Sequence, residues 1–249
     1  MSRVSWVETP SASFTARHQA RDADDAVALL DRMERFRARL DKRFFRTPGD
    51  VSIVMHPSTL ELSLAQPWLP LARRATAPAA RRYLTGWFST NEIHVLSPKA
   101  LERRASGLAE SLEALRLAPM HEYVHLVVGG NNPQLPPPFN PRSFARYLRW
   151  AWLAEGAATH FSGQAPLLRP AIVRRMREER PPSFPPKARD AQLLGGTIFG
   201  LAEQAHGPAA AVELASKLDG GGPEATIERI FGRRAREVEP DWRDYLRSL

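Results

Sequence analysis

Residues 120–128 read Met120-His121-Glu122-Tyr123-Val124-His125-Leu126-Val127-Val128. On a helix, two histidines four apart lie on one face, one turn apart. Both rings of His121 and His125 can then reach a single metal ion, and Glu122 can reach a water at that ion without being a ligand. At this chain's His and Glu content such a spacing arises by chance in about one chain in a hundred, so its setting matters. Every other residue of the stretch is apolar or aromatic, which predicts a buried helix. A His-Glu-His face is costly to bury unless those groups are paired or metal-bound. The alternative is two histidines satisfied by backbone or carboxylate partners.

Outward from this helix the chain reads as α/β first and all-α afterwards. A strand is expected near Ser13–Arg17. Asp22–Phe45 reads as a helix, with Val27, Leu30, Met33, Phe36, Leu40 and Phe44 at spacings of three and four. Pro48-Gly49-Asp50 is a turn and Val51–Met55 a β-branched strand. A loop with a short helix covers Pro57–Pro67. Tyr83–Phe88 and Glu92–Leu96 read as a hairpin around Thr90-Asn91. Ser97-Pro98 caps a helix running through Leu101–Leu117. Pro119 breaks or kinks it, and Gly129-Gly130 ends the stretch that follows. Residues 131–141 and 180–186 are proline-rich loops, the first read either as a rim beside a cleft or as a plain connection. Helices are expected at Ser143–Phe161, 189–205, 208–218, 223–231 and 236–248. With no evident linker, residues 1–249 are read as one domain of two lobes, 1–128 and 129–249.

Two histidines are too few for a metal site. Downstream, Trp152-Leu153-Ala154-Glu155-Gly156-Ala157-Ala158 holds one acid in an apolar, small-residue segment. A lone carboxylate there is expensive without a cation, and the small residues allow another helix to come close. The alternative for Glu155 is a partly exposed capping or ion-paired glutamate.

HEYVH followed by WLAEGAA resembles the gluzincin metallopeptidases, the peptidase MA-like group, whose pattern is HExxH and then a WLxEGxA helix. The VSIVMHPS strand, the TGWF…EIHVLSP hairpin and the terminal FGRRAREVEPDWRDYL segment resemble parts of that group as well, so the likeness spans roughly residues 13–249. It implies an α+β, zincin-like fold: an N-terminal twisted mixed sheet with helices, then a C-terminal helical lobe, with the cleft between them. It implies one Zn2+ held by His121, His125 and Glu155, with Glu122 as general base on a metal-activated water. The Glu92–Leu96 strand, with Ile93, His94 and Val95, would be the edge that pairs with an extended peptide. The implied activity is zinc-dependent peptide hydrolysis. The alternative is a weak or inactive zincin-like domain that binds a peptide or protein.

Two positions depart from the family pattern. Thr159 stands where an acid often orients a ligand histidine, and His160 follows where an aromatic is common. The segment DAQLLGGTIFGLAEQAHG lacks the tyrosine that often serves the oxyanion there. Tyr147, His160 and His206 are the candidates for that role. Trp150 and Trp152 read as core anchors, Trp87 as either core or substrate platform, and His56 and His94 as satisfied structural histidines.

Composition narrows the rest. The 249 residues include no Cys, which removes thiolate metal ligands, disulfides and thiol catalysis. Lys+Arg number 35 against 27 Asp+Glu, a net charge of +8. Only four of the basic residues are Lys, and the arginines are scattered in pairs such as Arg73-Arg74, Arg81-Arg82 and Arg174-Arg175. This argues against nucleic acid as a partner. No apolar run is long enough for a transmembrane helix, and the first residues lack an apolar signal core. A cytoplasmic protein without a membrane partner is expected.

Overall fold

The computed structural model describes residues 5–249. Five strands form one mixed sheet: β1 (Trp6–Pro10), β2 (Phe14–Gln19), β3 (Val51–His56), β4 (Gly86–Phe88) and β5 (Glu92–Leu96). Their order is β1-β2-β3-β5-β4. β2, β3 and β5 run parallel, and each outer strand is antiparallel to its neighbour. The parallel β2–β3 step crosses over through α1 (Ala23–Asp41). That helix buries Leu29, Leu30, Met33, Phe36 and Leu40 along one stripe, each such side chain contributing about 1.5–3 kcal/mol. β3 is buried along nearly its whole length, as expected for a central strand covered on both faces. The fold class is therefore α+β.

Between β3 and β5 lie α2 (Thr59–Ala65) and α3 (Leu69–Ala75). After β5 come α4 (Pro98–Arg104), α5 (Ala109–Arg116) and α6 (Ala118–Asn131). The remaining helices are α7 (Pro141–Arg149), α8 (Ala151–Phe161), α9 (Arg169–Met176), α10 (Ala191–His206), α11 (Pro208–Ser216), α12 (Pro223–Phe231) and α13 (Ala235–Ser248). Residues 118–128 of α6 are all buried, so only its last turn, residues 129–131, meets solvent. It lies against the β4–β5 end of the sheet on one side and α8 on the other. Among the described residues no helix is long and apolar enough to cross a membrane.

Several boundaries differ from the sequence reading. β1 was not legible because it is short and mostly exposed, so no apolar alternation marks it. The strand expected at Tyr83–Phe88 shrinks to Gly86–Phe88, because the Tyr83 N–H turns back to the Ala80 carbonyl. The first helix ends at Asp41, where Arg43 and Phe44 both donate to the Leu40 carbonyl. The helix expected through Leu101–Leu117 divides at Ala105–Leu108 into α4 and α5. Gly129-Gly130 does not stop α6, so the boundary drawn at 128/129 falls inside that helix. Asn131 extends it, donating to the Val127 and Arg46 carbonyls. The helix expected at Ser143–Phe161 breaks at Trp150 into α7 and α8. α3 and α9 were not anticipated.

The tightest packing is between α8 and α10. A Cβ built on Gly156 would lie 2.5 Å from the Gly195 carbonyl carbon. Backbone meets backbone there, so no side chain can give way. Gly156→Ala gains about 1 kcal/mol of helix propensity but forces the two helices apart. We expect a net loss of about 1–3 kcal/mol in denaturant unfolding. Gly107→Ala has nothing within 4 Å of the new Cβ and should stay within about 0.5 kcal/mol of wild type.

Candidate metal centre

α6 presents His121 and His125 toward α8, which presents Glu155. His121 Nε2 lies 3.3 Å from Glu155 Oε2, and His125 Nε2 lies 3.4 Å from Glu155 Oε1. One donor atom from each residue falls within 4.8 Å of the others. A tetrahedral ion with bonds of ~2.0–2.1 Å holds its ligand atoms roughly 3.3 Å apart, so each histidine nitrogen lies at a fitting distance from a Glu155 oxygen, and the group could hold an ion. All three side chains are buried, as is Glu122.

Gln164, at the end of the turn after α8, fixes the orientation of His121. Its Nε2 donates to the Ala114 carbonyl at 2.8 Å, which aims its Oε1 at His121 Nδ1, also at 2.8 Å. An amide oxygen only accepts, so Nδ1 carries the proton. Nε2 is thereby turned toward the centre and Glu155; burial opposes a proton on it, but the charge of Glu155 favours one. Once that proton leaves, its lone pair can take a metal, the partner on the far nitrogen being what orients such a histidine. The family pattern puts this support four residues after Glu155, where this chain has Thr159, one of the candidate positions together with His160 and Tyr147. The Thr159 hydroxyl instead donates to the Gln192 carbonyl. His160 pairs with Glu203 at 2.9 Å, and His206 packs on Phe231. Neither Thr159, His160 nor His206 reaches the centre. Tyr147 does: its hydroxyl donates to Glu155 Oε1. Gln164 was missed because nothing in its spacing from the motif marks it.

The electrostatics follow from burial and crowding. Glu122 is pushed up to about 8, first by burial and then by Glu155, with His121 opposing. His125 is driven down to about 3 by burial, with Glu155 opposing and His121 adding to it. Burial works against the Glu155 carboxylate, but His125, His121 and Tyr147 outweigh it and bring it to about 2. Glu155 is thus the anion of the cluster, and Glu122 is the carboxyl poised to hold a proton.

The centre opens into a cleft of about 460 Å3. Trp68, Leu71, Phe144 and Leu148 line its mouth, with Trp87 and Phe88 nearer the histidines. Phe88 stacks on His125 with centroids 4.2 Å apart. Phe139, from the proline-rich loop, packs on Trp87, Phe88 and Tyr147, so that loop supports residues that line the cleft. One strand differs from expectation. β5 is interior, flanked by β3 and β4, so Ile93, His94 and Val95 cannot offer a free backbone edge. The free edge is β4, which β5 pairs on one side only. Gly86 on β4 makes room for Glu122, since a Cβ there would lie 2.6 Å from Glu122 Cγ. His94 instead accounts for His56: their ring nitrogens are 2.9 Å apart, and His94 Nε2 meets Glu92 Oε1 at 2.6 Å. Trp150 and Trp152 are core residues.

Comparison with protein-family models, curated proteins and solved structures finds no match.

The role of Gln164 has a direct test. Gln164→Ala should lower zinc affinity by about 10–100-fold in a chelator competition. His160→Ala should leave it unchanged.

Proposed function

We propose that the chain is a zinc-dependent metallopeptidase of gluzincin type, with a zincin-like fold and one zinc per chain. The observation that carries this reading is the convergence of His121, His125 and Glu155 on one point, with Glu122 beside them at the floor of a cleft. The ligand set is imidazole and carboxylate, which suits zinc and leaves room for an open position. Zinc, when bound there, supplies Lewis acidity toward a water and a substrate carbonyl.

The protein's own groups divide the remaining work. Glu122, with its carboxyl held near neutral range by burial, takes a proton from the attacking water and returns it to the departing amine. Tyr147, the only phenol at the centre among the described residues, is the donor for the developing oxyanion. Its hydroxyl must leave Glu155 Oε1 to act, since it donates there in the free protein. The short β4 edge supports binding of an extended peptide by backbone pairing. Aromatic and aliphatic side chains around the mouth favour substrates with bulky apolar residues on either side of the scissile bond.

The reading is tested with a peptide library and Glu122→Gln. Wild type should cleave peptides, and the variant should retain its zinc while losing about 100-fold or more in kcat/KM. Peptide binding without turnover in either protein would establish a non-catalytic, peptide-binding domain instead.

A further inference from the structure

A second cavity, of about 590 Å3, lies apart from the metal cleft. The two linings share no residue. Its walls carry Arg81, Arg82, Arg104 and Arg174, together with Tyr83 and Ser106. Three separate stretches supply them: the turns before β4, the end of α4 with the residues just after it, and α9. The arginine pairs that look scattered in the sequence thus send members to one concavity.

No carboxylate answers this charge. Among the described residues none of the four arginines comes within ion-pair distance of an Asp or Glu. The contrast with the adjacent Arg175 is direct: that guanidinium holds both oxygens of Asp190, at 2.6 and 2.9 Å. Arg104 is held in place by backbone alone. Its Nε and Nη2 donate to the Arg82 and Arg81 carbonyls, each at 2.6 Å. Arg81 is anchored in turn on the Thr76 and Arg74 carbonyls. These contacts fix the Arg81 and Arg104 guanidinium groups without neutralising them. The mutual repulsion is visible in Arg104, whose pKa is lowered by burial and by Arg82. Arg73, behind it, falls to about 10 through burial and Arg104.

Preset cations around a concavity favour a multivalent anion. Guanidinium forks match phosphate oxygens two at a time. Two phosphate groups, each carrying about −1.5 to −2, balance four arginines. A concave site of this size is in the range of small-molecule pockets, roughly 300–1,000 Å3, whereas a nucleic-acid strand needs a groove that follows its backbone. Tyr83, Leu108 and Pro170 add apolar surface for an organic portion. We infer that this cavity binds a small molecule bearing two phosphate groups, gripped by Arg81, Arg82, Arg104 and Arg174. The inference is independent of the reading of the metal centre.

Inorganic pyrophosphate is the probe, titrated calorimetrically into the full chain at physiological salt. One equivalent should bind, with a submillimolar dissociation constant. Arg82→Gln/Arg174→Gln should weaken binding at least tenfold without lowering the melting temperature of the unliganded protein, because the substitution relieves repulsion and breaks no ion pair. Arg174→Gln alone, at an exposed helix position, guards against a folding artefact and should weaken binding measurably. Absence of pyrophosphate binding, or equal binding by the variants, would overturn the proposal. Equal affinity for citrate would show that charge alone is read, and displacement of pyrophosphate by a single-stranded oligonucleotide would assign the arginines to a nucleic-acid track. Either result would also overturn it.

Discussion

The constraint on which the rest of the structure depends is the burial of α6. A helix buried over residues 118–128 carries two histidines and a glutamate within five residues, His121, Glu122 and His125. Burying them is tolerable only where each meets a partner. α8 supplies Glu155 to the two histidines, Gln164 anchors His121 from behind, and Gly86 on β4 makes space for Glu122. α8, which carries Glu155, is packed backbone to backbone on α10 through Gly156 and Gly195. Sheet, helix pair and cluster are thus one arrangement, in which moving any element leaves a buried charge without its partner.

This also explains what could be read from the sequence. His121, His125 and Glu155 were legible because chemistry-bearing residues stood out against apolar surroundings at a helical spacing. α1 and β3 were legible because their burial is periodic or continuous. What failed was set by tertiary contact. Whether Glu92–Leu96 is an edge depends on where the three residues of β4 pair, and no local pattern states that. Gln164 acts through a carbonyl 50 positions away, on Ala114, so the support that Thr159 does not give comes from a residue no local pattern marks. Gly129-Gly130 signalled a stop, yet the helix runs on because Asn131 caps it and joins it to Arg46. The arginine cavity was invisible for the same reason: Arg81, Arg104 and Arg174 are far apart in the chain.

Two concave sites with opposite character result. The cleft above the His121–His125–Glu155 cluster has an apolar mouth and a floor where Glu155 concentrates negative charge. The second cavity is positive and has no acid. The segment between them is short: Tyr83 lines one, Leu84 the other, and Arg73 and Arg104 hold the carbonyls of residues 81, 82 and 84. The strand that borders Glu122 is therefore fastened at its entry by Arg73, and the turn before it by Arg104, one of the arginines that make the second cavity positive.

The central claim is that His121, His125 and Glu155 together hold one metal ion. Elemental analysis of the purified protein, wild type beside Glu155→Ala, tests it most directly. The account predicts about one zinc per wild-type chain, by the ligand count of such sites, and little or none in the variant. A wild-type protein that stays metal-free after zinc is supplied would contradict it, as would a Glu155→Ala variant that keeps its full complement.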